Sequence, residues 1–368
     1  MGDTPSAFTV FDHAMMARAL RLAERGAFTS RPNPMVGCVI VQEQEVVGEG
    51  WHERAGEAHA EVMALRDAGG RAYGATAYVT LEPCAHTGRT PPCTEALIGA
   101  GIARVVAAMR DPFPKVDGAG FARLQEAGIQ VASGLMEAQA RQLNRAFFSR
   151  VERGRPWLRI KQGISLDGRT ALASGESKWI TSPQSRADVQ RWRARCGALL
   201  TGAGTVLADD PHLTVRLPAG VPFTPPLRVV LDPGLATIAR GHVRDDAAPT
   251  LYIHAPDAKP SREFSAQRIA VATDGRNLDL LAVLQELARR EINEVQVEAG
   301  ATLAGAFLSA GLVDELLFYV APVLLGDRAR PMFDGLPIQA MVDRYELEVC
   351  DERRVGPDLR LLLRPRLG

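Results

Sequence analysis

At 368 residues the chain is longer than one compact core usually serves, and 46% hydrophobic with 23% charged residues is the balance of an ordinary globular protein, so two domains are expected. Its 43 Lys and Arg residues cancel 43 Asp and Glu, which excludes the bulk basic footprint of a nucleic-acid or anionic-membrane binder. No apolar run reaches the ~18 residues of a membrane span, no secretory leader is visible, and of five cysteines the widely separated Cys38, Cys196 and Cys350 read as reduced, mostly buried thiols in a cytoplasmic protein.

The first six residues fit the N-myristoylation pattern, but so permissive a pattern carries little weight. Asp12 is placed to cap a helix over residues 14–23, which Gly26 would end. Arg31-Pro32-Asn33-Pro34 forms a stiff turn into an apolar strand over 36–41. Asn33 can donate and accept, which suits a pyrimidine edge and equally suits stabilising the turn. Residues 46–52 read as the hairpin partner strand, and His52 at its end either faces a pocket or is an ordinary core residue.

His59-Ala60-Glu61, Pro83-Cys84 and Pro92-Cys93 follow. One imidazole and two thiolates make a three-ligand set for zinc and leave a fourth position for water, the pattern of a catalytic rather than a structural site. Glu61 is not needed as a ligand; it is the group that would move a proton between water and a leaving group. Residues two apart on a regular helix diverge, so His59 and Glu61 converge only if the metal lies near the start of a helix running to Ala68. Glu82 is a second nearby carboxylate that either serves the chemistry or positions its loop. His86, inside the insertion between the cysteines, is an alternative ligand. Alternating strands and helices, at 78–81, 94–99, 104–108, 118–127 and 129–131, describe an α/β layer sandwich.

The long spacing Pro-Cys-Ala-His-Thr-Gly-Arg-Thr-Pro-Pro-Cys, with Pro32-Asn33-Pro34-Met35-Val36-Gly37 upstream, resembles the deaminase half of the bifunctional riboflavin-biosynthesis deaminase–reductases. The resemblance assigns the metal to His59, Cys84 and Cys93 and tips Asn33 and His52 toward substrate contact. It implies a cytidine-deaminase-like three-layer domain over residues 1–148.

The charged, turn-forming stretch 150–156 is the expected boundary. Beyond it a strand over 157–161, a strand and turn over 164–171, and the string from Ser165-Leu166-Asp167-Gly168 through Ser174-Gly175-Glu176-Ser177-Lys178-Trp179 resemble the reductase half of the same family, so the resemblance covers nearly the whole chain. It implies a dihydrofolate-reductase-like domain over 155–368 that uses NADPH. Gly202-Ala203-Gly204 has Leu207 where a Rossmann turn needs Gly or Ala, which argues against that fold. The strand-turn-helix run Val297-Glu298-Ala299-Gly300-Ala301-Thr302-Leu303-Ala304-Gly305-Ala306 would present free backbone N–H groups to a phosphate, although a purely structural turn looks similar. Arg193 and Arg216 are the natural clamps for a ribose phosphate, and Glu298 is a candidate to bind a substrate hydroxyl. On the resemblance, Gly163, Trp179, Thr205, Asp209 and residues 300–306 serve the cofactor, while Ser177 and Leu213 serve the substrate. Lys161 and Asp209 are open candidates for the proton donor. An amphipathic helix is expected over 278–288, and strands over 316–321 and 359–363 should complete the sheet. The implied activity is zinc-dependent deamination of a diaminopyrimidine ribosyl phosphate followed by NADPH-dependent reduction of its ribosyl group, in a cytoplasmic homo-oligomer. A deaminase of free bases or tRNA would leave the second half without a task.

Overall fold

The computed structural model describes residues 8–85, 91–113, 116–260 and 266–366. His86 and the N-terminal acylation pattern lie outside these residues. The chain divides into two compact units, residues 1–153 and 154–368.

In the first unit, strands β1 (Gly37–Gln42), β2 (Glu45–Trp51), β3 (Thr76–Val79), β4 (Arg104–Ala107) and β5 (Gln130–Ser133) form one sheet in the order β2-β1-β3-β4-β5. β1 is antiparallel to both neighbours, and β3, β4 and β5 are parallel. Alternation along each strand serves two cores. Cys38, Ile40, Ala77, Val79, Val105 and Ala107 meet helices α2 (Ala60–Ala68), α3 (Cys93–Gly99) and α4 (Ala119–Glu126). Val39, Val41, Tyr78 and Val106 meet α1 (Val10–Ala23), α5 (Glu137–Leu143) and α6 (Arg145–Arg153) on the other face. The result is a three-layer α/β/α sandwich. Gly48 and Gly50 let α2 lie directly on β2: a Cβ on either would sit 2.3 or 2.4 Å from the Ala64 backbone.

The first helix begins earlier than the sequence suggests. Thr9, not Asp12, is its cap; Asp12 accepts the Thr9 N–H at 2.8 Å and donates its own N–H to the Thr9 hydroxyl at 3.1 Å, a capping box. Asp12 is buried and also accepts from Tyr78 and Arg104. Helix α6 runs through Arg153, so the charged stretch expected as linker begins inside a helix.

The second unit holds a nine-stranded sheet in the order β11-β10-β9-β8-β14-β6-β15-β18-β17. Its strands are β6 (Trp157–Ser165), β8 (Ala198–Gly202), β9 (Leu227–Leu231), β10 (Thr250–His254), β11 (Gln267–Ala270), β14 (Glu294–Val297), β15 (Glu315–Ala321), β17 (Leu347–Val355) and β18 (Asp358–Pro365). All are parallel up to β15, and β18 and β17 close the edge antiparallel. Two small antiparallel pairs, β7 (Arg169–Ala171) with β16 (Arg330–Pro331) and β12 (Thr273–Asp274) with β13 (Asn277–Leu278), lie outside it. The strand expected over 157–161 is thus one continuous strand to Ser165.

One sheet face packs Leu158, Ile160, Leu200, Val297 and Phe318 against α9 (Leu280–Arg289) and α10 (Ala301–Ser309). The other face carries Arg159, fully buried, paired with Glu294 and Glu315 at 2.5 and 2.8 Å and stacked 4.4 Å from Trp192 of α7 (Pro183–Arg195). Cys350, expected with the buried thiols, is exposed on β17.

Candidate active sites

His59, Cys84 and Cys93 come from three segments that the sheet brings together. His59 is the N-cap of α2 with extended backbone (φ −76°, ψ 165°), Cys84 follows β3, and Cys93 opens α3. Because His59 is outside the helix, it and Glu61, which lies in the first helical turn, need not diverge as two helical residues would. The three ligand atoms lie within 4.8 Å of one another, with His59 Nδ1 3.0 Å from Cys93 Sγ and 3.6 Å from Cys84 Sγ. One nitrogen and two sulfur donors converging from buried or half-buried positions suit zinc with an open position.

The Cys93 thiol donates to Cys84, and that bond, helped by His59 and the Cys93 backbone N–H, draws the Cys84 thiol down to about 4 against the opposing effect of burial. The same bond and burial push the Cys93 thiol up. Glu61 is 3% exposed, and burial followed by the charge of Cys84 raises its carboxyl to about 7. Its carboxyl hydrogen-bonds with Cys93, which places it against the donor set.

Asn33 and His52 flank this set. The Asn33 amide nitrogen is 3.0 Å from His52 Nε2, His52 Nδ1 is 3.2 Å from the Ala58 carbonyl, and the His52 ring meets His59 edge-on at 5.3 Å. The turn bearing Asn33 is held by Asn144, which exchanges two 2.8 Å hydrogen bonds with the Met35 backbone. Asn144 was not singled out in the sequence, since nothing near residue 144 marks a site.

The second unit opens a cleft of about 1660 Å³. Gly163, Ser177, Trp179, Arg193, Thr205, Asp209, Leu213, Arg216 and Glu298 line it, with Gly300, Ala301, Thr302, Leu303 and Ala306. No side chain caps α10 at Gly300, so its first-turn N–H groups remain for a ligand. Ala304 and Gly305 are not on the cleft wall. Ala304 is fully buried in the core, its N–H bonded to the Gly300 carbonyl, and a Cβ at Gly305 would sit 1.9 Å from the Asp334 carbonyl oxygen. They are turned inward because a helix exposes only one side.

Arg193 lines the cleft already engaged with protein partners. Its guanidinium grips Glu298 bidentately at 2.7 and 2.8 Å and donates to the Thr214 carbonyl at 2.8 Å. Glu298 is correspondingly occupied, accepting also from Gln296 at 2.9 Å. Burial opposes its ionisation, yet Arg193, then Lys161 and Gln296, bring its carboxyl down to about 2. Lys161 lines the same wall, where burial lowers its ammonium below the ordinary range. Arg216 also lines the cleft, as does Arg186, which is stacked 4.3 Å over Trp179 and is not marked by any local sequence motif.

Residues 9–109 match the family model of the cytidine and deoxycytidylate deaminase zinc-binding region, and residues 156–361 match the RibD C-terminal domain. The chain is 50% identical over 364 residues to the riboflavin biosynthesis protein RibD of Escherichia coli, covering 96% of this chain and 99% of the relative. It is 44% identical to RibD of Bacillus amyloliquefaciens, covering 96% of each. Among solved structures, Acinetobacter baumannii RibD superposes with a TM-score of 0.89 at 43% identity, covering 97% of this chain and 99% of that one. The Thermotoga maritima diaminohydroxyphosphoribosylaminopyrimidine deaminase/5-amino-6-(5-phosphoribosylamino)uracil reductase gives 0.86 at 32% identity, with the same coverage.

Proposed function

The chain belongs to the RibD family, the bifunctional deaminase–reductases of riboflavin biosynthesis, and from that premise we propose how its residues divide the two reactions. Residues 1–148 deaminate 2,5-diamino-6-(5-phosphoribosylamino)pyrimidin-4(3H)-one hydrolytically, and residues 155–368 reduce 5-amino-6-(5-phosphoribosylamino)uracil to its ribityl form. Support comes from the activity named for the Thermotoga maritima relative and its nearly full-length coverage, together with the two sites described above.

In the first unit His59, Cys84 and Cys93 would hold zinc, which supplies Lewis-acid activation of a water molecule. The Glu61 carboxylate takes a proton from that water and returns it to the departing amine nitrogen. A carboxyl raised to about 7 by burial is suited to both halves of that transfer. Asn33, set by His52, meets the pyrimidine edge.

In the second unit NADPH, when bound, would supply the hydride chemistry that the reduction of the ribosyl group needs. Gly163, Trp179, Thr205, Asp209 and the start of α10 from Gly300 to Leu303, with Ala306, hold the dinucleotide. Ser177, Leu213 and Arg216 hold the substrate, with Arg216 on its phosphate. Arg193 and Glu298, paired with each other, line the cleft on the substrate side. Lys161 Nζ gives the proton to the new alkoxide, because desolvation makes it a stronger acid than an exposed lysine. We further read the protein as a cytoplasmic homo-oligomer that binds no nucleic acid, on the strength of its zero net charge and the prevalence of closed assemblies.

The observation that carries this reading is the buried Glu61 carboxyl against a nitrogen-and-two-sulfur donor set. The test follows ammonia release and NADPH oxidation separately in the purified protein. Ammonia release lost in Glu61→Gln, with NADPH oxidation dependent on prior deamination, is the expected result. Ammonia release without NADPH oxidation, even from the deaminated intermediate, would refute the reductase half.

A further inference from the structure

Glu82 is 4% exposed, next to Pro83-Cys84, and among the described residues its carboxylate accepts only backbone N–H groups from one distant segment. Oε2 takes the N–H of Asp111 and of Gly118, each at 3.1 Å, and Oε1 takes those of Gly120 at 2.9 Å and Phe121 at 3.4 Å. Helix α4 has Gly118 as its N-cap and therefore no capping side chain of its own. Glu82 replaces that cap from 38 residues away, with the charge sign that a helix N-terminus favours. The contact is tight: a Cβ on Gly120 would lie 1.9 Å from the Pro83 carbonyl oxygen, so the start of α4 presses on the peptide that carries Cys84. On the other side of Cys84, the Cys84 carbonyl accepts the Thr94 N–H at 3.2 Å from α3. The ligand is thus held from both sides, and Glu82 supplies four of the bonds.

We propose that Glu82 is a positioning residue for the metal: by clamping the start of α4 onto the Pro83-Cys84 peptide it fixes the Cys84 sulfur and slows loss of zinc. It touches neither metal nor substrate. The inference rests on His59, Cys84 and Cys93 being the zinc ligands.

The test measures zinc release from the full-length protein to excess chromogenic chelator, with circular dichroism and the thiolate-to-metal absorption of the cobalt-substituted protein alongside. Glu82→Ala should release zinc about 10- to 100-fold faster than the native protein, the range for removing a group that orients a ligand. Glu82→Gln, which keeps one acceptor oxygen, should fall between while remaining folded, and both should show an altered cobalt–thiolate band. A folded Gln variant with native release rate and native absorption would overturn the proposal, whatever the Ala variant does. Native protein that binds no zinc, or Cys84→Ser that binds it as the native protein does, would instead refute the zinc site itself.

Discussion

Asn33 and His52 fix each other's orientation. A carbonyl can only accept, so the 3.2 Å contact from His52 Nδ1 to the Ala58 carbonyl puts the ring proton on Nδ1. Nε2 is then an acceptor, and the Asn33 amide 3.0 Å away must donate to it. Burial lowers the His52 pKa, which keeps the ring in this neutral form. The Asn33 amide nitrogen is consequently the atom turned to His52, and its carbonyl oxygen is left as the acceptor that the proposed function gives to the pyrimidine.

Replacing His52 by Phe keeps the ring's bulk and removes this constraint. The amide of Asn33 can then rotate, and the deamination KM should rise about tenfold, the worth of one hydrogen bond. Zinc content should stay at one per chain. Steady-state kinetics with metal analysis checks this; a native KM would mean that His52 does not set Asn33.

Glu61→Gln preserves shape while removing the proton acceptor. Deamination kcat should fall by about 10²–10⁴ with zinc retained. Stripping zinc with a chelator should abolish ammonia release equally, yet leave NADPH oxidation on the deaminated substrate intact, since the cleft of the second unit contains none of the three ligands. Loss of both activities on chelation would contradict that separation.

The buried Arg193–Glu298 pair predicts an acid-sensitive second unit. Glu298 lies at about 2 folded against an ordinary 4.5, so its contribution is complete above about pH 4.5 and is lost as the pH falls toward 2. Two and a half pKa units correspond to roughly 3 kcal/mol. Glu298→Gln should lower stability near pH 7 and flatten the acid limb of the denaturation profile between pH 4.5 and 2. Glu298→Ala should cost about 3–5 kcal/mol by leaving Arg193 buried and unpaired. Urea unfolding across that range decides it; a parallel shift of the two profiles would show that Glu298 is not the titrating group.

What the sequence disclosed was what neighbouring residues share. His59 and Glu61, Pro83-Cys84 and Cys93 stand in one motif, and the apolar run along 36–41 marks a buried strand. Relations between distant residues were not legible. Asn33 meets His52 across the β1–β2 hairpin, Arg193 meets Glu298 from 105 residues away, and Glu82 caps a helix 38 residues on. Each side chain alone reads as a polar loop or helix residue; only the sheet order makes it a partner. That Arg193 is paired with a carboxylate is invisible for this reason, because its partner Glu298 lies outside the local sequence.

On the proposed function helix α10 carries both cofactor-cradle and scaffold residues, and two substitutions should resolve them. Thr302 is exposed on the cleft wall in the first turn, so Thr302→Glu places a carboxylate where a cofactor phosphate would meet the helix N-terminus. The KM for NADPH should rise at least about tenfold, with thermal stability unchanged. Gly305→Ala acts oppositely. Its Cβ would overlap the Asp334 carbonyl at 1.9 Å, in a segment already tied to α10 by the 3.2 Å bond from the Asp334 N–H to the Ala301 carbonyl. Overpacking of this kind costs about 1–3 kcal/mol, which lowers Tm by several degrees in a unit of this size. The folded fraction should keep a native KM for NADPH, because Gly305 does not face the cleft. A raised KM in Gly305→Ala with unchanged Tm would return that glycine to the cofactor cradle.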